Sequence, residues 1–257
     1  MEPGSAGVFQ VPTGMVGRAG PVLDLRSACL GDLNYSVLLP RADQLPRTIA
    51  DRTRRIYDLV ASIYPLSTFF FHSKAHACAL RHSGIRNGMR VLEVATGSGE
   101  MFRRLIKSNR AGKTFGLDLS PNMAARTLGR ARKEFPGARA HCGAVDVRDL
   151  PFRDGSFDAV MCCYLLELLA REDITRTIEE VRRVLRPGGT FSLVVIGQNG
   201  PVFNRFYGVC GKIAPAFWGR QVESGVPELL RAAGMRILTD QFVRQGFYPS
   251  RVLVAKR

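Results

Sequence analysis

Several signatures that would place a protein in a class at once are missing from this sequence of 257 residues. No apolar run approaches the roughly 18 residues that a membrane-spanning helix needs. The N-terminus, Met1-Glu-Pro-Gly-Ser-Ala-Gly, lacks the basic and then apolar order of a secretory signal. We therefore expect a soluble protein that resides in the cytoplasm, either free or in peripheral contact with an anionic membrane.

Cysteine motifs and metal-binding motifs are also missing. The six cysteines show no Cys-x-x-Cys spacing, so reduced intracellular thiols are favoured over a disulfide framework. His72 and His76 stand four residues apart, as zinc ligands on a helix can, but no His-Glu-x-x-His motif or Cys/His cluster accompanies them. The sequence therefore predicts no metal site.

Acidic residues are too few to balance the basic ones. The chain has 37 Lys and Arg against 22 Asp and Glu, a formal net charge of +15. Such an excess raises nucleic acid or an anionic membrane surface as a partner. Most of the basic residues are spread along the chain, as is typical of solvated arginine on exposed helix faces. Only residues 201–257 are strongly biased, with 9 basic and 3 acidic groups.

What is present is an alternation of strands and helices. Apolar runs and helical periodicity predict strands at 89–94, 114–118, 139–143, 157–163 and 190–196, and helices at 99–109, 121–134 and 173–185. A helix at 225–234 then precedes two strands, 237–244 and 249–255, which we expect to form an antiparallel hairpin. This order is typical of an α/β fold with a doubly wound, Rossmann-like, mostly parallel sheet of seven strands.

The chain divides into an extension and one domain. Residues 1–45 contain Gly, Pro and short apolar segments without a sustained helical or strand periodicity, so we expect an irregular N-terminal extension. Residues 46–257 form the predicted domain, in which the helical pattern of 46–83 predicts lid helices over a site. Residues 198–222 are too long for an ordinary connection of about 2–6 residues, and we interpret them as an insertion beside the site.

The segment Val91-Leu-Glu-Val-Ala-Thr-Gly-Ser-Gly-Glu100 carries the most information about function. An apolar strand stops there at a turn of small residues, where Gly97 and Gly99 let the backbone pass close to a ligand. Asp118, at the end of the next apolar run, can accept hydrogen bonds from both hydroxyls of a ribose. A dinucleotide fingerprint would have its third glycine at position 102, which is Phe102 here. The turn therefore fits S-adenosylmethionine, which has no diphosphate, better than a nicotinamide cofactor.

Four segments share their order and spacing with a known family. They are Glu93-Val-Ala-Thr-Gly-Ser-Gly, Gly116-Leu-Asp-Leu-Ser-Pro-Asn-Met, Asp146-Val-Arg-Asp-Leu-Pro-Phe-Arg-Asp-Gly-Ser-Phe-Asp-Ala-Val and Leu185-Arg-Pro-Gly-Gly-Thr-Phe. The segments resemble those of class I S-adenosylmethionine-dependent methyltransferases. Through Val60-Ala-Ser-x-Tyr64 and Leu150-Pro-Phe, the chain is most similar in type to the ubiquinone/menaquinone-biosynthesis C-methyltransferases. It also resembles bacterial phospholipid N-methyltransferases.

The resemblance implies S-adenosyl-L-methionine as the cofactor. The cofactor-binding residues that it implies are Tyr64, Glu93, Ala95, Thr96, Gly97, Gly99, Asp118, Leu119, Asp146, Val147 and Cys163. Asp118 would hold the ribose, Asp146 would accept from the adenine amino group, and the backbone of Val147 would face the adenine ring. The small residues of the turn would let the methionine lie against the strand end, and Tyr64 on the lid would cover it.

Each of these residues also has an ordinary structural interpretation. Asp118 could be an acid close to the N-cap of the next helix, Asp146 a solvated loop acid, and Glu93 a buried structural acid or an acid that orients backbone amides. Tyr64 could pack in the core, and the Cys163 thiol could fill space there. The sequence leaves these alternatives open.

The residue that removes a proton from the acceptor is not assigned by the sequence. Four candidate bases are present: Glu167, His72, His76 and Tyr164. The chain lacks the Pro-Cys dipeptide of enzymes that methylate pyrimidine carbons. It also lacks the Asn/Asp-Pro-Pro-Tyr motif of those that methylate base amino groups. Nucleic acid is therefore not expected as the substrate.

The aromatic segments 63–71 and 201–207 bear on the acceptor. Together with scattered arginine they suit an apolar acceptor presented at a membrane surface. The main hypothesis is a methyltransferase that acts on a small, apolar or lipid-like acceptor, as in lipid or quinone metabolism. Two alternatives stay open: a phospholipid amine N-methyltransferase at a membrane surface, and a non-catalytic nucleoside-binding partner protein. No oligomeric state is predicted.

Overall fold

The computed structural model describes residues 64–198, 205, 222–246 and 248–257. Its elements are α1 (Tyr64–His82), β1 (Arg90–Val94), α2 (Glu100–Ser108), β2 (Lys113–Asp118), α3 (Pro121–Glu134), β3 (Arg139–Ala144), β4 (Phe157–Cys163), a 3-10 turn (Leu166–Leu168), α4 (Arg171–Val184), β5 (Leu185–Ile196), α5 (Val226–Ala232), β6 (Arg236–Gln245) and β7 (Tyr248–Lys256). Within the predicted lid the structure describes α1. The predicted extension and almost all of the predicted insertion lie outside the described residues. No helix in the described ranges is long and apolar enough to cross a bilayer.

The strands form one sheet in the order β3-β2-β1-β4-β5-β7-β6. Neighbouring strands are parallel from β3 to β5, and β7 runs antiparallel to both β5 and β6. The predicted fold class is confirmed, including the C-terminal hairpin. The strand order reverses between β1 and β4, and ligands of open α/β sheets bind at such a switch point, beyond the carboxyl ends of the strands.

The fifth strand begins earlier than the sequence predicts. It starts at Leu185 rather than at 190, and α4 correspondingly ends at Val184. Leu185 pairs with Phe157 of β4, and the backbone of Arg257 exchanges hydrogen bonds with Gly188 and Gly189 at 3.1 and 3.0 Å. These tertiary pairings extend the strand through a Pro-Gly-Gly segment that by itself predicts only the end of a helix.

Helices cover both faces of the sheet. On one face, α1 and α2 pack over the strands, with Ala79 and Leu105 in one cluster with Val194 of β5. On the other face, α4 and α5 contribute residues such as Ile178 and Leu230 to the larger core cluster. Because the central strands are buried on both sides, they consist of continuous apolar runs rather than an alternating pattern.

The start of α3 follows its sequence signal closely. Ser120 is the N-cap, its side-chain oxygen accepts the N–H of Met123 at 3.3 Å, and Pro121 is the first residue of the helix. A cap of this kind satisfies one of the unpaired N–H groups of the first turn. It fixes where the helix begins relative to Asp118, the last residue of β2.

Phe102 occupies the position that a dinucleotide fingerprint gives to glycine, and it is fully buried. Its ring packs against Gly116 of β2, where a Cβ atom would lie 2.9 Å from Phe102 Cε2 and 2.7 Å from Thr96 Cγ2. The glycine that permits close contact between helix and strand is therefore on the strand. Phe102 on the helix thus takes the place of the third glycine, and Gly116 on the strand provides the space for its ring.

We expect Phe102→Ala to lower the free energy of unfolding by about 3–5 kcal/mol, because it removes a fully buried ring and leaves a cavity against Gly116. Urea unfolding followed by circular dichroism measures this change. Phe242→Ala is the matched control, because Phe242 is 67% exposed, and it should cost less than about 1 kcal/mol. Similar losses for the two variants would contradict the packing described here.

Candidate cofactor and acceptor site

Two strained residues mark the switch point of the sheet. In the described part of the chain, the non-glycine residues with positive φ are Ala95, at 59°, and Tyr164, at 55°. Ala95 directly follows β1 and Tyr164 directly follows β4, and Val94 pairs with Cys162 across these two strands. Backbone strain of this kind costs about 1–3 kcal/mol at each residue and concentrates at functional sites. The strain therefore points to the carboxyl ends of β1 and β4.

The glycine turn after β1 is fixed by backbone hydrogen bonds. The N–H of Thr96 donates to the carbonyl of Leu117 at 3.0 Å, and the N–H of Gly99 donates to the carbonyl of Thr96 at 2.8 Å. A Cβ atom on Gly99 would lie 2.8 Å from Thr127 Oγ1 of α3, whereas a Cβ atom on Gly97 would meet nothing within 4 Å. Gly99 is thus required by packing, and Gly97 borders open space in which a ligand can approach the backbone.

Asp118 joins this turn to the start of α3. One carboxylate oxygen accepts the N–H of Gly97 at 2.8 Å, and the other accepts the N–H of Ser120 at 2.9 Å. The sequence places these residues at the ends of two different strands, and the parallel pairing of β1 with β2 brings them together. The carboxylate is therefore held at the edge of the open space in the absence of a ligand.

Two buried polar side chains beside the turn have an oxygen atom without a hydrogen-bond partner in the described part of the structure. They are Glu93, through Oε2, and Thr96, through Oγ1. Burial, with further contributions from Asp118 and Glu100, raises the pKa of Glu93 well above its ordinary value. Unpaired buried oxygens cost about 1–3 kcal/mol each, so they fit a polar ligand in the space between the glycine turn and Asp118. This space is called the corner below. The amino group of a methionine tail would satisfy an acid in this position.

Asp146 lies after β3 and is held by an arginine that the sequence did not single out. Arg148 donates to both carboxylate oxygens, at 2.6 Å for the shortest contact, and also contacts Asp173 at 3.1 Å. Burial raises the pKa of Asp146, but the hydrogen bonds from Arg148 outweigh it, so that the pKa lies below its ordinary value. The neighbouring Val147 is buried in the core. Asp146 is thus an ionised, oriented carboxylate.

The remaining predicted cofactor residues differ in how far the structure describes them. Leu119 follows Asp118 and is half-buried. Cys163 is the last residue of β4, and burial, with further contributions from Glu93 and other acids, raises the pKa of its thiol well above the ordinary value. A thiol of this kind is not a nucleophile. Tyr64 is the first residue of α1, and its side chain lies outside the described part.

A group of rings, here called the histidine–tyrosine cluster, lies on the other side of the switch point. It consists of His72 and His76 of α1, Tyr164 after β4 and Tyr248 at the start of β7. The His72 ring stacks on Tyr164 with centroids 4.1 Å apart, and it lies 5.0 Å from Tyr248 and 6.0 Å from His76. The Tyr164 hydroxyl is 2.7 Å from the Ser250 hydroxyl. Three of the four candidate bases thus lie together.

Both histidines of the cluster are neutral at physiological pH. Burial lowers the pKa of His72 to about 4. Burial lowers the pKa of His76 to about 3, with smaller electrostatic contributions from His72 and Arg104. The fourth candidate base, Glu167, accepts the N–H of Ile196 at the end of β5, and burial raises its pKa to about 7.

Sequence reasoning missed Thr127, Arg148, Tyr248 and Ser250 as parts of the site. Arg148 stands two residues after Asp146, and that proximity is the one local signal that could have indicated it. The other residues reach the site through helix packing or through β7, and a single sequence gives no signal for either. No group of three or more metal-binding side chains occurs among the described residues.

Comparison with known proteins agrees with this geometry. Residues 91–189 match the family described as a methyltransferase domain. The turn, Asp118 and Asp146 all lie within the matched range, and S-adenosylmethionine is the cofactor of this family. The described residues fit that cofactor, because the corner combines an open glycine turn, a fixed carboxylate and unpaired buried oxygens.

Several methyltransferases are similar to this chain. A 2-phytyl-1,4-naphthoquinone methyltransferase of Trichormus variabilis is 28% identical over 151 residues, which cover 57% of this chain and 65% of that protein. A ubiquinone/menaquinone biosynthesis C-methyltransferase of Chromobacterium violaceum is 30% identical over 163 residues, covering 62% and 65%. Both matches thus span slightly less than two thirds of the relative.

A solved structure extends the similarity of fold. The 1,6-didemethyltoxoflavin-N1-methyltransferase of Burkholderia thailandensis, with bound 1,6-didemethyltoxoflavin and S-adenosylhomocysteine, has a TM-score of 0.64 and 19% identity. The match covers 86% of this chain and 93% of that one. It supports the Rossmann-like fold.

We expect acid to destabilise the protein partly through His76. The ordinary pKa of histidine is 6.5, and that of folded His76 is about 3, so between these values the unfolded state binds a proton that the folded state does not. The free energy of unfolding therefore falls as the pH falls through this window. From pH 7 to pH 5 the loss from His76 should be about 2 kcal/mol.

Urea unfolding of the wild type and of His76→Gln at both pH values tests this expectation. The variant should lose about 2 kcal/mol less than the wild type over the same interval, because glutamine does not titrate. An equal loss in both proteins would show that His76 is protonated in the folded state as readily as in the unfolded one.

Proposed function

We propose that this protein is an S-adenosylmethionine-dependent methyltransferase that transfers a methyl group to a small-molecule acceptor with a quinone-like ring. One observation carries the proposal: the open space next to Gly97, bordered by the carboxylate of Asp118. The fold places this corner at the switch point where α/β proteins bind nucleosides. The family match covers the same segment.

Each carboxylate of the corner binds a different part of the cofactor. Asp118 accepts from the ribose hydroxyls, and Asp146, oriented by Arg148, accepts from the adenine amino group. The unpaired oxygen of Glu93 meets the positively charged amino group of the methionine. These roles are supported by the position of each carboxylate at a strand end and by the hydrogen bonds that hold two of them.

S-adenosylmethionine, when bound, supplies a methyl group on a sulfonium, which a nucleophile displaces in line. The protein therefore has to align the acceptor with that methyl group and exclude water. Tyr164 is suited to alignment, because its backbone N–H donates to Val194 at 2.8 Å and its hydroxyl contacts Ser250. Tyr164 follows β4, the strand next to the one that Ala95 follows. The histidine–tyrosine cluster therefore lies beside the part of the corner that would hold the methionine.

The quinone-like acceptor rests on the relatives and on the cluster. Two relatives are named for the methylation of a naphthoquinone and for ubiquinone/menaquinone biosynthesis. The stacked rings of His72 and Tyr164 provide flat surfaces of the kind against which an aromatic ring packs. A phospholipid amine would instead need a surface for a cationic headgroup, and the two neutral histidines provide no negative charge for it.

A labelling experiment tests the proposed function. Purified protein and S-adenosylmethionine with a labelled methyl group are incubated with a reduced prenylated naphthoquinone or with vesicles that contain phosphatidylethanolamine. We expect label in the naphthoquinone fraction and none in the phospholipid fraction. Label in phospholipid would favour amine methylation. No transfer by a protein that binds S-adenosylhomocysteine would favour the non-catalytic interpretation. Asp118→Ala serves as the variant that is expected to be inactive.

We expect Asp118→Ala to weaken the binding of S-adenosylhomocysteine by about 2 kcal/mol or more, because charge-assisted hydrogen bonds to the ribose are lost. Titration calorimetry measures this change. Unchanged affinity in a folded variant would contradict the assigned role of Asp118.

Gly97→Ala tests the open space with a well-matched control. The added Cβ would meet no protein atom, and it would extend into the proposed cofactor site. We therefore expect an affinity for S-adenosylhomocysteine at least about tenfold lower, that is, about 1.4 kcal/mol. Gly88 also has a positive φ, 95°, and open space around its Cβ position, but it precedes β1, at the opposite edge of the sheet.

Gly88→Ala should therefore share the backbone strain of Gly97→Ala without its effect on binding. Both variants should lose roughly 1 kcal/mol of folding free energy. If both bind S-adenosylhomocysteine equally well, the cofactor does not lie against Gly97.

A further inference from the structure

His76 is a buried polar residue of α1. It is 3% exposed, and neither ring nitrogen has a hydrogen-bond partner among the described residues. A neutral imidazole carries one N–H donor and one nitrogen acceptor, so two polar functions are left unmet in the interior. Ala75 and Ala79, on the same helix, are buried in the apolar cluster between α1 and the sheet.

The position of His76 relates it to the cofactor corner. Its ring centroid lies 6.0 Å from that of Tyr164, which directly follows β4. Since Val94 pairs with Cys162, Tyr164 and the turn after β1 belong to adjacent strands, which lie about 4.8 Å apart. The corner occupies the carboxyl ends of β1 and β2, and the cluster lies at the carboxyl end of β4 and at the amino end of β7, which is antiparallel to β5.

Tyr164 is held in place by three contacts. Tyr164 is bound to β5 through its backbone, to β7 through the Ser250 hydroxyl, and to α1 through the stacked His72 ring. These contacts maintain its backbone in a conformation with positive φ that a tyrosine rarely adopts. A strained residue fixed on three sides is typical of a preorganised binding surface.

We propose that His76 is a specificity-determining residue, which binds a hydroxyl or carbonyl group of a flat acceptor ring through a hydrogen bond while the ring packs against His72 and Tyr164. This inference rests on the proposed function and assigns the acceptor part of the same site. It gives one of the two unmet nitrogen functions a partner. It also explains why a polar residue lies among the apolar side chains between α1 and the sheet.

The charge state of His76 defines its role further. The groups that face it are His72 of the same helix, Arg104 of α2 and Tyr164 after β4. Burial, with smaller electrostatic contributions from His72 and Arg104, keeps its pKa far below the pH of the cell. An imidazole of this kind is a poor proton acceptor, because a general base works best with a pKa near the operating pH. His76 therefore orients the acceptor as a neutral hydrogen-bonding group and is not the base.

Two ring compounds of equal size test the proposal by binding alone. 1-Naphthol carries a hydroxyl group where 1-methylnaphthalene carries a methyl group. The dissociation constant of each is measured by fluorescence titration, with S-adenosylhomocysteine present, for the wild type, His76→Leu, His76→Gln and His82→Leu. The ratio of the two constants reports the contribution of the polar group, and differences in hydrophobicity cancel between proteins.

We expect the preference for 1-naphthol to fall about tenfold in His76→Leu, as for the loss of one buried hydrogen bond. It should be largely restored in His76→Gln, because an amide offers both a donor and an acceptor. His82→Leu is the control on the same helix, where the ring contacts the carbonyl of Cys78 at 2.9 Å, and its preference should equal that of the wild type. Thermal melting confirms that each variant is folded.

Two results would overturn the proposal. One is a folded His76→Leu protein that keeps the wild-type preference for 1-naphthol. The other is a wild type that binds both compounds equally, or neither. In either case the imidazole would make no hydrogen bond to the polar group of such a ring. Failure to bind S-adenosylhomocysteine would be a different outcome, because it would contradict the proposed function and not the assignment of His76.

Discussion

The carboxylate of Asp118 is the interaction on which the candidate site depends. It accepts N–H groups from Gly97 and from Ser120, and it thereby connects the end of β2 to the turn after β1 and to the start of α3. The same side chain is thus part of the fold and the proposed contact to the ribose. A hydrogen-bonded acid of this kind needs little reorganisation when a ligand arrives, since its position is already determined by the backbone around it.

The strained residues extend this organisation across the switch point. Ala95 and Tyr164 follow neighbouring strands, and both have a backbone conformation that is costly for a residue with a side chain. At Ala95 the small side chain limits the cost, whereas at Tyr164 three separate contacts, two by the side chain and one by the backbone, hold the residue in place. The edge of the sheet is therefore stiff where the proposed cofactor and acceptor sites meet.

The sequence predicted the fold well because its strands are buried, its helices are amphipathic and its caps are local. Ser120 and the segment that follows it give the start of α3 from neighbouring residues alone. The corner was predictable as well, since Gly97 and Asp118 both stand at strand ends, although the roles of Asp118 and Asp146 toward a cofactor stay predictions.

What could not be predicted depends on contacts between distant segments. The extension of β5 to Leu185 requires pairing with Phe157 and with the last residue of the chain. The histidine–tyrosine cluster combines α1, the residue after β4 and the start of β7, and the packing of Phe102 on Gly116 replaces a motif glycine by a glycine on another element. Helical and strand periods contain no information on such pairs.

The place of β7 in the sheet has a consequence for how the protein is made. This strand is inserted between β5 and β6, and it supplies both Tyr248 and Ser250 to the cluster. During translation, the ribosome can release β1 to β4 and the glycine turn long before these two residues emerge. A nascent chain can therefore form the corner at Gly97 and Asp118 first, while the histidine–tyrosine cluster is completed only when residue 250 has been synthesised and paired with β5.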